Sequence, residues 1–143
     1  MISAISRTMI DMFCPDLSHY LNLKGEIEPN IYAVGWLDER HPFQKGTVED
    51  STLERILALC FCLVNQTRGF HQSPFVHPSP IGYPVEFKDR QTRLGSAEIR
   101  VGGKNGISYA APNLIYHYIK DCGYLPPQEF LDAVDSMAIP SLK

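Results

Sequence analysis

The clearest periodicity lies in "DSTLERILALCFCLV", residues 50–64, where Leu53, Ile56, Leu57, Cys60 and Val64 recur at helical spacing. The stretch predicts an amphipathic helix. Ser51 with Glu54 three residues on has the form of a capping box, and Glu49 and Asp50 put negative charge at the positive end of the helix dipole. Asn65 is the expected stop. Further on the period changes to two. Ala97, Ile99 and Val101 alternate with Glu98 and Arg100, and Ile107 and Tyr109 flank Ser108. Between them "GGKNG" supplies residues that accept positive φ, so a hairpin is predicted, one face buried and the other wet. Glu98 and Arg100 would share the wet face, as an ion pair or as part of a site. "PNLIYHYIKDCGYLPP" predicts a second helix opening at Pro112 and ending at Gly123, with a stripe of Leu114, Ile115, Tyr118, Ile119 and Cys122 and with His117 at its margin. "PQEFLDAVDSM" predicts a third helix from Pro127, with Phe130, Leu131 and Val134 facing inward.

The remaining segments are less periodic. Residues 1–30 give no clear pattern, and "KGEIEPN" (24–30) has the polarity of a turn-rich loop. "IYAVGW" (31–36) is β-branched and aromatic and predicts a short strand, followed by a connector over 37–46. Residues 65–91 carry Pro74, Pro78, Pro80 and Pro84 close together, which excludes a regular helix and predicts a long Pro-rich loop, a kind of segment that is often functional. The order strand, helix, long loop, hairpin, helix, helix predicts an α+β fold: about three helices packed on a small antiparallel sheet, in a single globular domain over 1–143.

Composition fits that picture. With 143 residues, 44% hydrophobic and 20% charged, the chain is long enough to bury a core and too apolar to be disordered. The formal net charge of -3 argues against a general nucleic-acid binder and tolerates a basic protein partner. No run of eighteen apolar residues is present and the first residues lack the long apolar core of a signal peptide, so no membrane association is expected. Four scattered cysteines, two of them on predicted apolar helix faces, suggest reduced thiols in a cytoplasmic protein.

Several segments, in order, resemble a family of small uncharacterised bacterial proteins, a domain of unknown function. They are "CPDLSHY" (14–20), "VGWLDERHPF" (34–43), "NQTRGFH" (65–71), "LGSAEIRV" (94–101) and "YAAPNLIYHYI…GYLPPQEFLDAV" (109–134). The resemblance implies no defined chemistry. By association it implies an immunity or accessory protein of a bacterial toxin system. Similar chains tend to read His-x-Cys-x-x-Cys after the RGFH segment. Here those cysteine positions hold Ser73 and Val76, while Cys60 and His71 remain, which suggests a zinc knuckle lost or rebuilt.

The candidate chemistry gathers between Cys60 and Pro78. A structural zinc ion needs four thiolate or imidazole ligands in a tetrahedron, and Cys60, Cys62, His71 and His77 are the residues on offer. On a continuous helix residues i and i+2 point about 200° apart, so Cys60 and Cys62 share an ion only if the helix ends between them. A cysteine–histidine dyad is the second reading, with Arg68 supplying the electropositive setting that a reactive thiol needs. The plainer alternative packs Cys60 as a small hydrophobe and uses Arg68 as a clamp, its five donors tying loop carbonyls or a carboxylate such as Asp38 or Glu98. Asp38 and His41 form a further pair, able to do acid–base work but more ordinarily part of a capped turn. "GGKNG" leads from strand to strand and is no phosphate loop.

The sequence therefore predicts a protein-binding domain without catalysis or cofactor, able to neutralise a toxin by covering its active site. Arg68, His71, Asp38, His41, Glu98 and Arg100 are its candidate binding residues. The rival reading is a zinc-binding or hydrolytic enzyme built on Cys60, His71 and His77, and a purely structural subunit is a third.

Overall fold

The computed structural model describes residues 14–21, 26–38, 40–61 and 83–137. Their elements run β1 (His19–Leu21), β2 (Ile27–Ala33), α1 (Asp50–Leu59), β3 (Tyr83–Phe87), β4 (Arg90–Leu94), β5 (Glu98–Gly102), β6 (Ser108–Pro112), α2 (Ile115–Cys122) and α3 (Gln128–Ser136), with a single 3₁₀ turn over Lys104–Gly106. Four strands form one sheet in the order β1-β2-β6-β5, and β3 and β4 form a separate hairpin. The fold is α+β, as the order of periods predicts. The sheet, however, is mixed. β2 runs parallel to β6, with Ile31, Tyr32 and Ala33 opposite Ser108, Tyr109 and Ala110, whereas β1–β2 and β5–β6 are antiparallel. A parallel neighbour needs a long crossover, and here that crossover carries α1 and the β3–β4 hairpin.

Alternation along the sheet separates two cores. Ile99, Val101, Tyr109 and Ala111 face the three helices and pack with Ile56, Leu114, Ile115, Tyr118, Phe130 and Val134. Tyr20, Ala33, Trp36 and Ala110 form a second cluster, which places them on the opposite face by the two-residue period. The Trp36 indole N–H donates to the Ala110 carbonyl at 2.9 Å, joining the segment after β2 to β6. Gly35 in the same segment has φ +81. It lies so close to α2 that an added Cβ would stand 2.9 Å from Ile115 Cδ1, so both the backbone and the space require glycine.

Several expectations shift. The first helix starts at Asp50 on an N-cap, Glu49, that makes no side-chain cap bond, so the Ser51–Glu54 box is not formed. It ends at Leu59, short of Asn65, because the Cys60 N–H is shared between the carbonyls of Ile56 and Leu57 and tightens the last turn. Pro112 closes β6 instead of opening α2, whose first residue is Ile115. The predicted stop at Gly123 holds, with that residue in the left-handed conformation at φ 74. β2 begins at Ile27, inside the stretch expected to be a loop, and β1 comes from the aperiodic first thirty residues. The end of the predicted 65–91 loop is also ordered. Tyr83, Val85 and Phe87 alternate with the exposed Pro84 and Glu86 and pair with β4 through a two-residue turn, Lys88 and Asp89, both at positive φ. Pro84 is tolerated because a two-stranded hairpin has free edges where a missing N–H costs no ladder bond.

Candidate functional site

Of the residues expected to carry chemistry, Cys62, Arg68, His71 and His77 lie outside the described residues, as does most of the Pro-rich loop. Cys60 is fully buried, and its thiol donates to the Asn113 carbonyl at 3.5 Å. It sits just past the end of α1 among Val34, Ile56 and Leu114, the setting of a packed hydrophobe.

Glu98 and Arg100 are together, but not on a wet face. Glu98 is 2% exposed. The Tyr20 hydroxyl lies 2.7 and 2.6 Å from its carboxylate oxygens Oε1 and Oε2, and Arg100 Nη2 donates to Oε1 at 3.3 Å. The same guanidinium lies over the Tyr20 ring, 4.9 Å from its centroid. Burial, reinforced by the hydrogen bond and charge of Glu98, pushes the Tyr20 phenol up to about 12 against the opposing charge of Arg100. The Tyr20 side chain of β1 therefore reaches the face of β5 that alternation alone would leave to solvent.

Asp38 and His41 form a local turn. His41 Nδ1 is 2.6 Å from Asp38 Oδ1, and the Arg40 N–H donates to the same oxygen at 3.1 Å. Desolvation opposes ionisation of Asp38, but the hydrogen bond and charge of His41, with Arg40 behind them, hold its carboxyl below the usual 3.8. His41 and Arg40 are exposed, so this is a capped surface turn.

One constellation escaped the pattern-based reading. His117, expected at the margin of its helix stripe, is 1% exposed. Its Nδ1 meets Asp121 Oδ2 at 2.9 Å, its Nε2 is 4.0 Å from Cys122 Sγ, and Tyr83 stacks against it with ring centroids 4.4 Å apart. The Tyr83 hydroxyl also donates to Asp121. Thiol, imidazole and carboxylate thus stand in the order of a catalytic triad, all on α2. Its electrostatics are wrong for a nucleophile. Cys122 is the last residue of the helix, where the dipole is negative, and desolvation followed by the charge of Asp121 pushes its thiol up. Helix spacing alone offered a clue, since 117 and 121 are four apart, but nothing local brings Tyr83 to them.

Tyrosine–carboxylate bonds recur through the molecule. Besides Tyr20–Glu98 and Tyr83–Asp121, Tyr109 donates to Glu129 at 2.8 Å and Tyr124 to Asp16 at 2.7 Å. Asp16 also accepts the Gly35 N–H at 3.0 Å, so one carboxylate pins the residues before β1 to both Gly35 and the chain after α2. Burial and the Asp16 charge push the Tyr124 phenol far up. Among the described residues no cluster of three or more His, Cys, Asp or Glu side chains could hold a metal ion, and no helix is long and apolar enough to cross a membrane.

Exposed carboxylates stand on and beside α1 and α3, as they also do at Glu26, Glu86, Asp89 and Asp121. Glu49, Asp50 and Glu54 are exposed around α1, and Glu129, Asp132 and Asp135 form an exposed i, i+3, i+6 stripe on α3. The helices are tied by a 2.7 Å bond from Thr52 Oγ1 to Asp135 Oδ1. The one basic residue on either helix, Arg55, donates to the Met137 carbonyl. Together the two helices carry five exposed carboxylates, with Glu49 at the N-cap of α1, against this one arginine.

A family model described as a domain of unknown function, DUF7919, matches residues 12–135, and the chain belongs to that family. No curated protein and no solved structure matches it.

Proposed function

We propose that this member of the DUF7919 family is a cytoplasmic bacterial protein that works by binding, capturing a basic protein partner on the acidic face of α1 and α3. An immunity role, in which the captured partner is a toxin whose active site is covered, is the specific form we favour. The observation that carries the reading is the distribution of charge. Five exposed carboxylates stand on these two helices, with Glu49 at the N-cap of α1, and the single arginine among them is engaged with a backbone carbonyl. Such a face attracts a basic surface at long range and disfavours nucleic acid and anionic lipid. The interior supports the same reading. Glu98, Asp121 and Asp16 are occupied by tyrosines of this chain, and desolvation with the charge of Asp121 pushes the thiol nearest a histidine up.

The test is co-purification with the product of the adjacent coding sequence, followed by titration at two salt concentrations. A complex whose affinity falls steeply with salt, and which is lost in Glu54→Lys combined with Asp132→Lys, is the expected result. Absence of a complex, or indifference to charge reversal, overturns the proposal.

A further inference from the structure

We infer that the open groove between α1, the tip of the β3–β4 hairpin and Tyr116 of α2 seats a cationic side chain, arginine in the first instance, of the basic partner. The inference rests on the binding reading above and deepens it by naming the group recognised. The groove encloses about 430 Å³. Its apolar lining comes from three elements, Leu53 and Leu57 of α1, Phe87 of β3 and Tyr116, and Lys88 lines it as well. Asp50 and Glu54, one helical turn apart, stand on one rim, and Glu86 on the other.

This combination fits a long side chain with an apolar stem and a charged head, because the stem covers leucine and ring surface while the head reaches the carboxylates. The rings already hold cations. Lys88 Nζ sits 5.3 Å from the Phe87 ring centroid and Lys120 Nζ 5.7 Å from that of Tyr116. Both lysines are exposed and belong to this chain, and their positions mark where an ammonium or guanidinium meets a ring face. Arginine is favoured over lysine as the incoming group. It is more weakly hydrated, stacks on aromatic faces, and can fork between two carboxylates such as Asp50 and Glu54. A compact metal ion would leave the apolar floor unused. A phosphate or carboxylate ligand meets three carboxylates against the one ammonium of Lys88.

The probe is N-acetyl-argininamide, titrated into the full chain at low salt and followed by ¹H–¹⁵N NMR, with N-acetyl-glutaminamide as the neutral control. Saturable shifts confined to the backbone of residues 53–57, 86–88 and 116 are expected. Glu54→Gln should weaken the arginine titration about fivefold and Lys88→Gln should strengthen it about threefold, as for single charges near a surface. Glu129→Gln, away from the groove, should change it less than twofold. Shifts no larger than those from the glutamine control overturn the inference, as do shifts spread along α3 or equal effects from Glu129→Gln and Glu54→Gln. The two readings fail separately. A basic partner that binds through Asp132 while ignoring Glu54→Gln removes the groove and leaves the binding function standing. Argininamide seated in the groove of a protein that captures no basic partner does the reverse.

Discussion

Gly35 concentrates two constraints in one residue. Its φ of +81 is the left-handed region, and an added Cβ would press within 2.9 Å of Ile115 Cδ1. Gly35→Ala is therefore expected to cost about 2 kcal/mol, combining backbone strain with overpacking, read as a lower urea midpoint at unchanged slope. A few residues away in space, Tyr124→Phe removes the donor to Asp16 and should cost about 1–2 kcal/mol, the price of leaving a partly buried acceptor unmet. An unchanged midpoint in either variant would show that the Asp16–Gly35–Tyr124 junction does not hold the fold. Cys60 carries a third residue-level expectation. Its thiol is buried against the Asn113 carbonyl, so freshly purified protein should contain no stoichiometric zinc and a chelator should leave its melting temperature unchanged. One equivalent of zinc, lost in His71→Ala, would contradict this.

At the scale of elements, the tyrosine–carboxylate bonds act as long-range staples, and they make stability sensitive to base. Tyr20 and Tyr109 are both pushed up to about 12 from the ordinary 10.0, by desolvation first and then by the hydrogen bonds and charges of Glu98 and Glu129. The unfolded chain loses these protons first. Above pH 10 it therefore binds fewer protons than the folded chain, and stability falls as pH rises through 12. The urea midpoint should decline between pH 10 and 12, and less steeply in Tyr20→Phe. A flat profile would mean that the phenols ionise equally in both states. The staples also explain which parts of the fold could be read in the sequence. α1, α3 and the β5–β6 hairpin are governed by local periods, which is why Ile56, Phe130, Ile99 and Val101 were placed inward correctly. β1 has only three residues and exists through its pairing with β2, and β2 lies beside β6 although the two are far apart in sequence. Glu98 illustrates the limit. Its alternation with Ile99 is a local fact, but its burial depends on Tyr20, 78 residues away. The Tyr83–Asp121 contact that completes the His117 cluster spans 38 residues and leaves no local trace.

At the scale of the molecule, charge is sorted between interior and surface. Tyr20, Arg100 and His117 answer carboxylates inside or at the margin of the core, while Asp50, Glu54 and Asp132 stand exposed on α1 and α3, whose Glu129 and Asp135 are bonded to Tyr109 and Thr52. The candidate site was legible only in part. An acidic balance follows from the sequence, but the neighbouring of α1 and α3 appears only when α3 is laid against α1 through Thr52 and Asp135. This division of charge gives the decisive comparison. Affinity for the adjacent gene product should be measured for two paired variants, each checked for an intact fold by its melting profile. Glu54→Lys with Asp132→Lys inverts the outer face, and His117→Gln with Cys122→Ser dismantles the only thiol–imidazole contact among the described residues. We expect binding to fall at least tenfold in the first pair, since each reversal replaces an attraction with a repulsion, and to be retained in the second. Retained binding in the first pair with loss of function in the second would contradict the account and return the activity to the interior.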